Sequence, residues 1–254
     1  MFSWTAWRRK RLRARPFPLA WQETLGFLPV LHGLSSEEQR KLQGLIHVFV
    51  AEKTFEGCGG LEMRDKIKVV IAAQAALLIL HLHHDFYHRV NSILVYPSTF
   101  RHNMMHRQGD GTVAAVNQSH LGEAWPGGPV ILAWDSAYQG GRRADDGQNT
   151  VIHEFAHKLD MLDGSTDGIP PLAEDLDPPS WRIDFTAALE NHQRALKAKR
   201  PHLIDAYGAT SPAEFFAVAS ENFFERPVAL EQEEPALYQR MAAFFRQDPA
   251  RRQA

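Results

Sequence analysis

Asn149-Thr150-Val151-Ile152-His153-Glu154-Phe155-Ala156-His157-Lys158-Leu159-Asp160-Met161-Leu162 reads as one helix, closed by Gly164 just beyond its last apolar residue. Val151, Ile152, Phe155, Ala156, Leu159 and Leu162 give it a long apolar surface, so the helix belongs in a core. Within it lies H-E-x-x-H, His153 to His157. Residues i and i+4 of a helix stand one above the other, which lets two imidazoles bind one zinc ion from the same face. Glu154, beside the first of them, then reaches a water held by the metal and accepts its proton, which is the chemistry of peptide hydrolysis. With 13 histidines and 16 glutamates in 254 residues, chance produces this spacing in about 4% of such chains. A helix with two surface histidines therefore stays open on spacing alone.

A hydrolytic zinc site takes three protein ligands and leaves a position open. The residues after His157 run Lys-Leu-Asp-Met-Leu-Asp-Gly, with no histidine at the metzincin position, so a later carboxylate is required. The candidates are Glu174, Glu190, Glu214, Glu221 and Glu225. Glu214 is preferred, because it sits in the first turn of an apolar helix containing Phe215, Phe216, Phe223 and Phe224 and can be held rigidly there. The same residues allow a simpler role. Ser211-Pro212-Ala213-Glu214 is also a capping-box pattern, in which Glu214 would bond back to the Ser211 amide.

Working outward, 44% apolar and 23% charged residues describe a globular chain and exclude disorder or a fibrous repeat. A net charge of −2 excludes a general polyanion binder, so no direct nucleic-acid partner is expected. One cysteine, Cys58, fits a reducing compartment, and a cytoplasmic location is expected. The apolar run Val69 to Leu80 is too short to span a bilayer and reads as a buried helix interrupted by Gln74. Further helices are expected from Ser35, over Trp181 to Lys199, over Pro212 to Glu225 and over Glu233 to Phe245. Strands are expected at Ile93 to Tyr96, Thr112 to Val116 and Val130 to Trp134. These elements predict a mainly helical α+β single domain with a small, largely antiparallel sheet. A basic and aromatic segment, 1–34, would precede the domain at 35–246, with a tail at 247–254. Six of the eight residues from Arg8 to Arg15 are basic, with Trp4 and Trp7 close by. This reads as a solvated, frayed end, with contact to acidic lipid or RNA as the alternative.

Gly147-Gln148-Asn149 running into the metal helix, together with Pro212-Ala213-Glu214-Phe215-Phe216-Ala217-Val218, resembles the Mlc titration factor A family of zinc peptidases. The likeness runs from about Gln39 to Phe245 and includes Ile71-Ala72-Ala73-Gln74-Ala75 and Gly128-Pro129-Val130-Ile131-Leu132-Ala133-Trp134. The resemblance implies a zincin-like core related to the anthrax lethal factor protease, and a cytosolic aminopeptidase-type activity with one zinc ion per chain. It implies metal ligands at His153, His157 and Glu214, a general base at Glu154, and a catalytic tyrosine seven residues before the ligand glutamate, where Tyr207 stands. It also implies a protein partner, an Mlc-like repressor of glucose-uptake genes. A repressor-sequestering protein with a vestigial zinc site is the competing function.

Other features carry weaker expectations. Asp160 is placed to orient a ligand imidazole or to lie on the helix surface. The Val130 to Trp134 strand offers either a substrate-pairing edge or an interior strand. The loop Ser165 to Pro179 follows the metal helix and is expected to cover the cleft. His81, His83, His84, Asp85 and His88 read as a helix C-terminus rather than a second metal site. His102, His106 and His120 belong to no motif.

Overall fold

The computed structural model describes residues 3–82, 85, 87–98, 105–107, 113–115 and 128–252. In chain order the elements are α1 (Trp4–Arg13), α2 (Leu19–Gly26), α3 (Ser36–Glu52), β1 (Thr54–Gly57), α4 (Asp65–Leu78), β2 (Ser92–Tyr96), β3 (Met105–Arg107), β4 (Val113–Ala115) and β5 (Val130–Ala133). They continue with α5 (Trp134–Arg142), α6 (Thr150–Asp160), α7 (Pro178–Lys197), α8 (Pro212–Glu225), α9 (Pro227–Glu233), α10 (Pro235–Phe245) and α11 (Pro249–Arg252). They form one mainly helical α+β domain, as the patterning predicts.

Two helices organise the core because they are buried nearly all round. In α4 every residue from Val69 to Leu78 is buried, and in α8 every residue from Phe215 to Glu225. A helix buried this completely is covered on all sides. Accordingly α4 packs against α2, α3, α5 and α6, while α8 packs against α6, α9, α10 and the short 3-10 turn Ala206–Ala209. The aromatic residues predicted for α8 stack with those of α7 and α10: Phe216 lies among Trp181, Phe244 and Phe245.

The sheet corrects the prediction. Its three strands run in the order β1-β2-β5 and are all parallel, with Ile93 paired to both Phe55 and Val130. The antiparallel expectation came from the turn-forming residues ahead of β5. Parallel neighbours need a long crossover, and α4 supplies it between β1 and β2, while residues 97–129 connect β2 to β5. Antiparallel pairing is confined, among the described residues, to the separate ribbon β3-β4. Strand β1 escaped the sequence reading because it is four residues long and only half-buried. The N-terminal stretch is also helical where a frayed end was expected: Ser3 caps α1, Leu12 is buried, and Arg9 binds Glu52 on α3 through both carboxylate oxygens.

Candidate metal centre

Helix α6 begins where Asn149 accepts the Ile152 amide at 3.0 Å, and it ends through a 3-10 turn, Met161–Asp163, at Gly164. That glycine has φ +97°, the left-handed conformation that favours a residue without a side chain. The helix packs across α8. This crossing brings His153 and His157 from α6 to Glu214 in the first turn of α8.

Their geometry is tight. His153 Nε2 lies 3.0 Å from Glu214 Oε2, His157 Nε2 lies 3.3 Å from the same oxygen, and the two Nε2 atoms are 3.2 Å apart. Tetrahedral ligands at 2.0–2.1 Å from a zinc ion stand about 3.3 Å from one another, so the three atoms fit three corners of such a site. Among the described residues this is the sole cluster of His, Cys, Asp and Glu able to hold a metal ion. Two imidazoles and one carboxylate also form a donor set suited to zinc.

The capping role left open for Glu214 can be compared with that of Glu38. Helix α3 has the full capping box: Ser35 Oγ accepts the Glu38 amide, and Glu38 in turn accepts the Ser35 amide at 2.9 Å. In α8 Ser211 Oγ accepts the Glu214 amide at 3.2 Å, but the Glu214 carboxylate turns to the histidines. Glu221 and Glu225 lie deeper along the same face, and Glu174 and Glu190 are outside the cluster.

Glu221 has a different task. Its Oε1 stands 2.8 Å from His153 Nδ1, and its other oxygen accepts the Asn149 amide. Asn149 donates its side-chain amide to Gln74 Oε1 at 2.8 Å and to Glu225 Oε1 at 2.9 Å, and Glu225 also accepts the Gln148 amide at 3.1 Å. A buried chain of polar groups thus runs from α4 through the cap of α6 to the back of His153. The signals were present in the sequence: Gln74 interrupts an apolar helix, and Glu214, Glu221 and Glu225 recur at helical spacing. Asp160 is not part of this support. One of its oxygens accepts the Gly168 amide at 3.1 Å, pinning the Ser165–Pro179 loop to α6, while its other oxygen and His157 Nδ1 are buried without a hydrogen-bond partner among the described residues.

Electrostatics sets the acids apart from one another. Burial works against charge on Glu214, yet the imidazoles of His153 and His157 hold its carboxyl well below the ordinary carboxylate range. Burial also opposes charge on His153, but its bonds to Glu214 and Glu221 push it up to about 10 in the metal-free site. Burial drives Glu154 up to about 7, with the charge on His153 restraining the rise. Lys158, one turn on from Glu154, donates to the Gly128 carbonyl at 3.2 Å and holds the approach to β5 against α6.

Tyr207 lies in the Ala206–Ala209 turn, its amide fixed by Asp205 at 2.8 Å. Its ring centroid is 5.9 Å from that of His153. Burial and a hydrogen bond to Glu214 raise its phenol, so it stays a proton donor. The five residues expected at the site, His153, Glu154, His157, Tyr207 and Glu214, therefore converge from α6, α8 and one turn.

Strand β5 is an outer strand of the three-stranded sheet and packs against α6, which places an edge next to the centre. In the histidine-rich stretch, His81 pairs with Glu38 at 3.2 Å. His83, His84, His102 and His120 lie outside the described residues.

The profile of the glucose-regulated metallo-peptidase M90 family matches residues 4–246 of this chain. An uncharacterised protein of Synechocystis sp. is 38% identical over 248 residues, covering 97% of this chain and 90% of its own length. Mlc titration factor A of Serratia proteamaculans is 34% identical over 255 residues, covering 99% and 95% respectively. That of Cronobacter sakazakii is 35% identical over 251 residues, covering 98% and 93%.

Proposed function

Since the chain belongs to the glucose-regulated metallo-peptidase M90 family, we propose that it is a zinc-dependent, aminopeptidase-type peptidase of the cytoplasm. The observation that carries this reading is the triangle of His153, His157 and Glu214 ligand atoms at 3.0–3.3 Å beside the buried Glu154. These three residues would hold the metal, which when bound supplies Lewis acidity that makes water nucleophilic near neutral pH and polarises a carbonyl.

The chain's own groups do the rest. Glu154, buried beside the ligands and raised by that burial in the metal-free site, accepts a proton from the attacking water and returns it to the leaving amine. Tyr207, kept protonated, donates to the oxyanion that develops as the carbonyl becomes tetrahedral. Glu221 holds the His153 ring so that Nε2 faces Glu214. The outer edge of β5, unpaired among the described residues, supports antiparallel pairing with a substrate backbone.

Glu154→Gln tests the mechanism. The variant should keep about one zinc per chain while losing roughly 10²–10⁴ in kcat on amino-acyl anilides; turnover like that of the wild type removes Glu154 from the reaction. A second role rests on the relatives named Mlc titration factor A: this chain would also bind an Mlc-like repressor of glucose-uptake genes. Wild type and Glu154→Gln should then capture the purified repressor equally, and failure of both would confine the protein to hydrolysis.

A further inference from the structure

The metal centre makes no use of the first 27 residues, and their surface is unlike the rest of the chain. Among the described residues six large apolar side chains are exposed, and four of them fall here: Trp4 at 64%, Trp7 at 42%, Leu19 at 82% and Phe27 at 56%. The same segment holds the six cations between Arg8 and Arg15, and α1 has no acid in its first turn.

Helix α1 is not loose. Leu12 is buried, Arg9 is ion-paired to Glu52 and Asp85, and the Arg13 side chain lies against Gly44 of α3. With that side fixed, Trp4, Trp7 and Arg11 recur at i, i+3 and i+7 on the outer side, and the Arg11 guanidinium stands 4.8 Å from the Trp7 ring. Beside them opens a cleft of about 660 Å³ lined by Ser3, Thr5, Lys10 and Arg13, with Asp85 as its one acid.

We propose that the α1–α2 segment docks this protein reversibly on an anionic phospholipid surface. Tryptophan and arginine are the side chains that settle at headgroup depth, the ring among the upper acyl carbons and the guanidinium on phosphate. The basic cleft next to the tryptophans has the size and charge to receive a phosphate headgroup. Leu19, 82% exposed, favours lipid over nucleic acid, since an exposed aliphatic side chain gains nothing from phosphates or base stacking. No helix of the described residues is long and apolar enough to cross a membrane, so the contact is peripheral. It would bring the peptidase to substrates or partners held at that surface.

Sedimentation with vesicles tests this on the full chain. The protein should pellet with phosphatidylcholine vesicles containing about one-third phosphatidylglycerol, stay in solution with phosphatidylcholine alone, and be released as salt rises from ~0.05 to ~0.5 M. Trp4→Ala/Trp7→Ala and Lys10→Glu/Arg11→Glu should each lower the partition coefficient by about tenfold or more. Both should keep wild-type circular dichroism and peptidase rate. Absence of pelleting at low salt overturns the proposal, as does wild-type partitioning of both variants. Binding to a DNA duplex without binding to vesicles overturns it in favour of nucleic acid.

Discussion

At the scale of single residues, the centre depends on which proton or cation satisfies a crowded set of charges. His153 Nδ1 faces Glu221 and its Nε2 faces Glu214, so in the metal-free protein both contacts favour the doubly protonated ring and push it up to about 10. Zinc needs the Nε2 lone pair and must expel one proton. Zinc affinity should therefore rise with pH across the neutral range, and calorimetry in buffers of different ionisation enthalpy should detect proton release on binding. Glu221→Gln removes the acceptor that orients the ring, and zinc affinity should fall by roughly 10–100-fold. Tyr207→Phe keeps the ring beside His153 but deletes the donor, and kcat should drop by roughly 10²–10³ with KM little changed. A proportional rise in KM instead would place Tyr207 in substrate binding.

At the scale of elements, the site is made by one crossing, α6 over α8, and α8 is held by aromatic packing. Phe216 is fully buried among Trp181, Phe244 and Phe245. Phe216→Ala should cost about 3–5 kcal/mol in urea unfolding, and should also loosen zinc, because Glu214 lies two residues away on the same helix. The helices were legible in the sequence for a physical reason: α3, α6, α7, α8 and α10 show apolar periodicity with capping or closing residues that act locally, and α8 matches its expected span at both ends. Sheet direction was not legible, because strand pairing is a long-range choice that four- and five-residue strands leave little trace of. The candidate site was read in part. The ligand spacing in α6 is local, whereas the partnership of Glu221 with Asn149 and Gln74 joins residues some 70 positions apart, and only the fold brings them together. The S-x-x-E pattern is local too, yet it gives a capping box in α3 and a turned-out carboxylate in α8. What distinguishes them is the pair of histidines facing Glu214.

At the scale of the whole molecule, the metal-free protein buries acids that zinc would partly compensate. Burial raises Glu154 to about 7 and Glu225 to about 8, and carboxyl pairing raises His153 to about 10. Each of these folded values lies above its unfolded one, so the stability each group contributes is full below the unfolded value and is lost as pH rises through the folded one. Between pH 6.5 and 8 all three act in the same direction, and the metal-free melting temperature should fall. Zinc at a thousandfold excess over its Kd adds about 4 kcal/mol, worth roughly 10 °C for a chain of this size. Because metal affinity rises over the same interval, the gap between zinc-loaded and metal-free melting temperatures should widen from pH 6.5 to 8. A gap that narrows would mean that His153 is neutral in the metal-free fold.

The most direct test is the zinc content of three purified variants after dialysis against a weak chelator, measured by mass spectrometry. Glu154→Gln and Glu190→Ala should retain about one ion per chain, and Glu214→Ala should fall well below it. Full zinc in Glu214→Ala would contradict the account, because the metal would then be held by residues other than the three that converge here.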